Sequence, residues 1–193
     1  MRPQLDSLAW HDLHQHAQWR CFLAWWPDAA MGAHLGQLAS RMQQRYGGRA
    51  MQAQHMHLTL AFMGASTPEQ LLSLQPRLQQ LDWQPFTLSF NGLGVFEKAG
   101  VLWLEPNAMQ QPQLDALQHA HEQLWALLQS TGWVRSERRF VPHISLLRRY
   151  PSGQPVPQLD VTDVTIHFKH AYLIVSVPTE QGSQYRILSR LSA

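Results

Sequence analysis

The sequence predicts an α+β fold, with helices packed on the outer faces of a largely antiparallel sheet. Short apolar or alternating runs typical of strands are interleaved with three segments that have helical apolar spacing. One short pattern, a histidine, an apolar residue, a hydroxyl residue and a leucine, also occurs twice, at 57–60 and 143–146. Two distant copies, each behind a helix, predict one domain over residues 1–193 with two pseudo-symmetric halves.

The composition suits a single globular domain. The 193 residues are 45% hydrophobic and 15% charged, which is typical of a chain with a packed core. A formal charge of +2 permits an anionic ligand, without the clustered cations that a long nucleic-acid track needs. The single cysteine, Cys21, excludes an internal disulfide and fits a reducing compartment. No segment is typical of a membrane span or a signal peptide, so we expect a cytoplasmic location, with residues 1–17 as a peripheral or flexible segment.

The first strand and the first helix follow one another at the start of the fold. Residues 19–26 form an apolar run ended by Pro27, which predicts a buried strand. Asp28 is placed to cap a helix that Gly47 and Gly48 close. The apolar residues at helical spacing in between are Met31, Leu35, Leu38 and Met42.

The middle of the chain holds the first motif strand, a helix and a hairpin. Residues 51–62 form the strand, and residues 66–69, Ser-Thr-Pro-Glu, start the helix with a hydroxyl cap and a first-turn proline. Leu71, Leu74, Leu78 and Leu81 give this helix its apolar face. Residues 86–90 alternate as a strand, and 101–105 form its hairpin partner.

The last third repeats the order of helix and motif strand, then adds strands. A third helix ends near Gly132, and its apolar face is formed by Leu114, Leu117, His121, Leu124, Leu127 and Leu128. Residues 138–148 form the second motif strand, and 151–157 are a Pro/Gly-rich loop. The remaining predicted strands are 164–167, 171–177 and 185–190.

The two motifs place matching chemistry on strand faces. Side chains at i and i+2 of a strand share a face, so His57 lies beside Thr59, and His143 beside Ser145. Two imidazoles with an ordinary pKa of about 6.5 can divide the work of removing and donating a proton. The hydroxyls can hold phosphate oxygens as charge develops on them. With no P-loop, glycine-rich nucleotide cradle or metal–carboxylate cluster in the sequence, we predict phosphodiester cleavage without a metal or other cofactor.

The paired tetrapeptides resemble those of the 2H phosphoesterase superfamily. Within it, Phe22-Leu-Ala, 57–64 and 140–148 are similar to the RNA 2′,3′-cyclic phosphodiesterases, also described as 2′-5′ RNA ligases. The likeness extends over residues 19–190, and its specific signal lies in the two motif blocks. It implies two pseudo-symmetric lobes around a central cleft, with one motif from each lobe, so that the two motif strands face each other across the cleft.

The resemblance also implies roles for individual residues. His57 would protonate the departing 3′ oxygen and His143 would activate water, giving a 2′-phosphomonoester. Thr59 and Ser145 would hold the phosphate, and Ser145 keeps the hydroxyl where many relatives have threonine. Arg148 matches a basic position that the family uses near the phosphate.

Phe62 is a candidate for stacking a base. Regular alternation would put it on the apolar side, away from His57, but a side chain at a strand end can still reach the cleft. Trp103 and Phe96 are further aromatic candidates.

Three functions remain open on the sequence. The first is hydrolysis of RNA ends or small cyclic nucleotides with a cyclic phosphate, with reversible 2′-5′ RNA ligation at the same two histidines. The second is a non-catalytic RNA- or nucleotide-binding module that uses the same cleft as an anion pocket. The third is a metal-dependent hydrolase assembled from the histidine-rich positions. In each case we expect a monomer that needs no protein partner.

Overall fold

A computed structural model of the chain describes residues 5–81, 84–135, 139–158, 164–180 and 182–191. Over these residues helices and antiparallel strands combine in an α+β fold, which confirms the predicted class. The helices are α1 (Ala29–Tyr46), α2 (Pro68–Leu78) and α3 (Gln111–Ser130). The strands are β1 (Trp19–Trp25), β2 (Arg49–Ala50), β3 (Leu58–Ser66), β4 (Phe86–Phe96), β5 (Val101–Pro106), β6 (Ile144–Arg148), β7 (Val164–Phe168), β8 (Ala171–Thr179) and β9 (Gly182–Leu191). The ends of two predicted segments, residues 1–4 and Arg138, lie outside the described residues.

The starts of α1 and α2 are fixed by local side-chain chemistry. The carboxylate of Asp28 accepts a hydrogen bond from the Met31 backbone N–H at 2.8 Å, so it satisfies one free donor of the first turn. Thr67 and Gln70 form a reciprocal capping box at the start of α2, with Pro68 directly inside. Both predicted starts are confirmed.

The strands form one sheet in the order β7-β4-β5-β6-β3-β1-β8-β9, and β2 adds a short pairing to β6. The two motif strands, β3 and β6, are therefore neighbours at its centre, joined by the pair Leu58 and Ile144. On either side of this junction lie four strands, β3-β1-β8-β9 and β6-β5-β4-β7. This arrangement differs from the expected one, in which the motif strands face each other across a cleft, because their edges pair directly.

This junction also places the motif side chains. Leu58 and Ile144 are opposite each other and fully buried, so both point into the core. Opposed residues of antiparallel strands share a face, and their chain neighbours point to the other face. His57 and Thr59 therefore share one face of the sheet with the histidine and hydroxyl of the second motif.

Both motif strands contain a β-bulge directly after the hydroxyl residue. The extra residue is Leu60 in β3, where β1 pairs, and Leu146 in β6, where β5 pairs. An extra residue shifts the alternation of side chains by one position. The fifth residue after each histidine, Phe62 in β3 and Arg148 in β6, consequently returns to the face of the histidines.

The described part of the N-terminal segment packs on the domain. Leu8 and Leu13 are buried, and the Trp19 indole N–H donates to the Leu13 carbonyl at 2.8 Å. Among the described residues, no helix is both long enough and apolar enough to cross a membrane.

Candidate active site

A cleft of about 930 Å³ opens on the sheet face that carries His57. Four of the predicted site residues line it, namely His57, Thr59, Phe62 and Arg148. The other walls come from β1, from residues 49–55 and from the β8–β9 hairpin. His143 and Ser145 are not among the residues that line this cleft. They lie on the same face of the sheet, and His143 is close enough to His57 to affect its pKa.

The two histidines are held by the same backbone device. Nδ1 of His57 lies 2.7 Å from the carbonyl oxygen of His55, and Nδ1 of His143 lies 2.7 Å from that of Val141. A carbonyl oxygen can only accept, so Nδ1 carries the proton and donates it in both rings. Nε2 is then the nitrogen available for proton transfer in each motif.

Aromatic rings surround His57. Its imidazole stacks on Phe22, with ring centres 5.1 Å apart and planes at 28°, and on Trp26, at 4.6 Å and 18°. The Tyr185 ring meets it edge-on at 5.8 Å. These rings exclude water from much of the imidazole and fix its plane, because β1 and β9 both contribute to the same wall.

Burial sets the charge of both histidines. It lowers the pKa of His57 to about 4, against the opposing effect of the hydrogen bond to the His55 carbonyl. Positive charge on His143, His55 and Arg148 lowers the pKa of His57 further. Burial also lowers the pKa of His143, and Arg148 acts on it in the same direction. Both imidazoles are therefore neutral in the free protein near pH 7.

His143 has a different aromatic setting. Phe96 meets its ring edge-on at 4.9 Å, and Trp103 lies 5.8 Å away at 64°. Phe96 and Trp103 stack on each other at 5.0 Å. A Cβ on Gly94 would lie 2.2 Å from the Trp103 ring, so only glycine allows the indole to lie across β4 at this point.

Arg148 and Phe62 occupy equivalent places on the two motif strands. Arg148 is exposed, lines the cleft and affects the pKa of both histidines. Phe62 is 48% exposed and also lines the cleft. The expectation from regular alternation, that Phe62 lies on the apolar side, was wrong because of the bulge at Leu60.

Sequence reasoning missed a contact that braces β3. Nδ1 of His121, on α3, donates to the carbonyl of Leu60, the bulge residue, at 2.6 Å. Its ring stacks on Phe140, with centres 3.9 Å apart and planes at 8°, and its Nε2 lies 3.1 Å from an Arg135 nitrogen. His121 thus touches the first motif strand and the segment that leads into the second. Its helical spacing indicated only an apolar-face position.

Trp26 and Tyr185 were also missed as neighbours of His57. The chain has 8 Trp and 4 Tyr, and nothing local in the sequence separates those that face the site from those in the core.

Over the described residues, no three or more His, Cys, Asp or Glu side chains are grouped so that they could hold a metal ion.

The chain also matches known proteins. A sequence profile of the 2′-5′ RNA ligase superfamily matches residues 27–162, more than half of the chain. The chain belongs to this superfamily. The resemblance predicted from the two motif blocks is thereby confirmed.

Curated relatives within the superfamily include two named RNA 2′,3′-cyclic phosphodiesterase. The protein of Escherichia coli (strain K12) is 33% identical over 110 residues, which are 57% of this chain and 60% of that protein. The protein of Archaeoglobus fulgidus is 29% identical over 105 residues, 53% of this chain and 56% of that protein. The matched stretches thus span a little over half the length of these relatives.

Solved structures share the fold. Escherichia coli LigT, in a crystal structure with 3′-AMP, matches 90% of this chain and 97% of its own with a TM-score of 0.75 and 24% identity. A second crystal structure, described as a phosphoesterase, matches 91% and 99% with a TM-score of 0.77 and 24% identity. Together they show that the superfamily fold extends over nearly the whole chain.

Proposed function

We propose that this superfamily member hydrolyses 2′,3′-cyclic phosphate ends of RNA, or small cyclic nucleotides, to 2′-phosphomonoesters. The observation that supports this most is the matched pair of histidines. His57 and His143 have the same tautomer, donate to equivalent carbonyls at the same distance, and lie on one face of the sheet. Two such imidazoles supply an acid and a base without a cofactor. We place this activity in the cytoplasm.

His143 acts as the general base in this proposal. Its lowered pKa keeps the ring neutral near pH 7, with the Nε2 lone pair free to accept a proton from water. The water oxygen bonds to phosphorus on the side opposite the 3′ oxygen. The hydrogen bond to Val141 steadies the imidazolium that forms.

His57 acts as the general acid, and it needs a proton that the free protein lacks near pH 7. A bound phosphodiester brings negative charge next to the ring, which favours the imidazolium and raises its pKa. As the bond between phosphorus and the 3′ oxygen breaks, Nε2 of His57 donates its proton to that oxygen. The bond to the 2′ oxygen stays intact, so the product is the 2′-phosphomonoester.

Thr59, Ser145 and Arg148 bind the phosphate. Hydroxyl groups donate to its non-bridging oxygens, and the guanidinium of Arg148 adds charge-assisted hydrogen bonds as negative charge builds in the transition state. With an RNA 5′-hydroxyl in place of water, the same groups open the cyclic phosphate in the same direction and form a 2′-5′ linkage: the 5′ oxygen bonds to phosphorus, His143 takes its proton, and the 3′ oxygen leaves with the proton of His57. Water is in large excess, so net hydrolysis is favoured.

The test is to identify the product isomer. The purified protein is incubated with an oligonucleotide that ends in a 2′,3′-cyclic phosphate, with and without EDTA, and the product is assigned by ³¹P NMR. We expect a 2′-phosphate in both cases. A 3′-phosphate would refute the role of His57, loss of activity with EDTA would refute the cofactor-free mechanism, and binding without turnover would support a binding module.

A further inference from the structure

The cleft extends well beyond the catalytic residues, along β1 to Arg20. Ala24 of β1 pairs with Thr59, and Arg20 is four residues further along the same strand. At about 3.3 Å per residue, Arg20 lies roughly 13 Å from the point opposite Thr59. A single cyclic phosphate does not span this distance, yet Arg20 lines the same cleft.

Phe62 holds the Arg20 guanidinium at this end of the cleft. The guanidinium carbon lies 4.9 Å from the centre of the Phe62 ring, within the range of a cation–π contact. The bulge at Leu60 creates this contact, since it turns Phe62 to the cleft face. Among the described residues, Arg20 has no carboxylate within salt-bridge distance. Of the described residues that line the cleft, only Glu180, at the tip of the β8–β9 hairpin, carries a carboxylate. The donors of Arg20 remain available to an anion.

A serine hydroxyl lies at the same end of the cleft. Ser176 of β8 pairs with Arg20 across the sheet, lines the cleft and is only 7% exposed. Its hydroxyl has no hydrogen-bond partner among the residues that the structure describes. Because Ser176 lines the cleft, its hydroxyl can donate a hydrogen bond to an acceptor of a ligand bound there.

We propose that Arg20, Ser176 and Phe62 form a second subsite, which binds a phosphodiester upstream of the terminal cyclic phosphate. The guanidinium and the hydroxyl bind the phosphate oxygens, and the free face of Phe62 stacks on a base of the same strand. The substrate is then an RNA 3′ end of several nucleotides rather than a 2′,3′-cyclic mononucleotide. This inference rests on the proposed function and specifies its substrate.

The test compares substrate lengths. Values of kcat/KM are measured for a 2′,3′-cyclic mononucleotide and for a trinucleotide with a 2′,3′-cyclic end, with the wild type, Arg20→Met and Ser176→Ala. We expect the wild type to prefer the trinucleotide, and Arg20→Met to reduce the ratio of the two values about tenfold, as for loss of one charge-assisted contact. Ser176→Ala should reduce the same ratio to a smaller extent.

Salt dependence gives a second measurement. Loss of one phosphate contact on a single strand lowers the slope of log affinity against log salt by about 0.7, so the slope for the trinucleotide should flatten by this amount in Arg20→Met. Arg41→Met is the matched control, since Arg41 is an exposed arginine of α1 outside the cleft lining. It should keep the wild-type ratio and slope.

Two results would overturn the subsite: no preference of the wild type for the trinucleotide, or an unchanged ratio in Arg20→Met, which includes an equal loss with both substrates. If the wild type turns over neither substrate, the proposed function fails and the subsite is tested by binding. Dissociation constants are then compared for a nucleoside 2′-phosphate and a trinucleotide with a 2′-phosphate end. A wild-type preference for the trinucleotide that Arg20→Met reduces would support the subsite, and equal ratios would refute it.

Discussion

The two motif strands share one backbone design. Directly before both β3 and β6, a histidine donates from Nδ1 to the carbonyl two residues earlier, at 2.7 Å. A bulge follows each hydroxyl residue, and the fifth residue after each histidine returns to the same face. Four strands lie on each side of the junction between them. The halves therefore match at the level of the chain path.

Their side chains differ in kind. His57 lies among three aromatic rings, and the fifth residue after it is Phe62. His143 touches two aromatic rings, and the fifth residue after it is Arg148. One backbone pattern thus supports an aromatic half, which lowers the pKa of its histidine to about 4, and a cationic half suited to phosphate. This difference teaches that a repeated motif can place its two histidines in unlike surroundings.

The largest expected effect is the loss of either histidine. General acid or base catalysis contributes about 10²–10⁴-fold, so His57→Ala and His143→Ala should each lower kcat by that factor. Turnover of a cyclic-phosphate oligonucleotide is the measurement. His119→Ala, at an exposed position of α3, should keep wild-type turnover. Full activity in either variant would remove the two-histidine mechanism.

A sulfur substitution would tell the two roles apart. A substrate with sulfur in place of the 3′ oxygen has a leaving group that needs no protonation. It should restore turnover to His57→Ala, the variant that lacks the acid, and leave His143→Ala slow. Rescue of His143→Ala alone would reverse the assignment of acid and base.

Much of what the two motif strands share could be predicted from the sequence, because it depends on residues close together in the chain. The alternation around His57 and His143, and the caps at Asp28 and Thr67, depend on residues next to one another in the chain. Helix and strand order followed from the same periodicities. The two histidines and the two hydroxyls were found from the same local patterns, and their chemical roles stay predictions.

The remainder depends on contacts between distant segments. The bulge at Leu60 appears only when β3 pairs with β1, so regular alternation misplaced Phe62. The pairing of Leu58 with Ile144, which makes the motif strands neighbours, has no local signal. For the same reason the contacts of Tyr185 with His57 could not be found from spacing.

The pH dependence of stability should show the lowered pKa of His57 in the aromatic half. Below pH 6.5 the unfolded chain binds a proton at His57, whereas the folded protein does so only near pH 4. The free energy of unfolding should therefore fall as the pH is lowered from 6.5 to 4, by up to about 3 kcal/mol from this residue. Urea unfolding of the wild type and His57→Gln at several pH values measures it.

His57→Gln is the reference for the pH dependence of the wild type in that experiment. His57→Gln also loses ring contacts, but this loss is the same at every pH, so only the pH-dependent part reports the titration. We expect a shallower decline in the variant. Parallel curves for the two proteins would show that His57 does not titrate near pH 4.

The cationic half depends on the space at Gly94. Gly94→Ala would place a Cβ 2.2 Å from the buried Trp103 ring, which must then move. Such overpacking costs about 1–3 kcal/mol, measured by urea unfolding. Because Trp103 contacts His143, kcat should fall as well. Gly92→Ala is a milder control, since its Cβ meets the exposed Glu105 side chain at 3.0 Å. Equal losses of stability and kcat in both variants would show that contact with the Trp103 ring does not determine the cost of a side chain at Gly94.

The smallest expected effect is the loss of the hydrogen bond from His121 to the Leu60 carbonyl of β3, which we call the brace. His121→Phe keeps a flat ring against Phe140 but removes the N–H that donates to the Leu60 carbonyl. Loss of one such hydrogen bond should lower the free energy of unfolding by about 0.5–1.5 kcal/mol. His119→Phe, exposed on the same helix, should stay within about 0.5 kcal/mol of the wild type. Since the bulge at Leu60 directs Phe62 to the cleft, a loss of activity in His121→Phe that His119→Phe does not share would link the brace to the site. Wild-type stability and activity in both variants would mean that the strand pairing alone maintains the bulge.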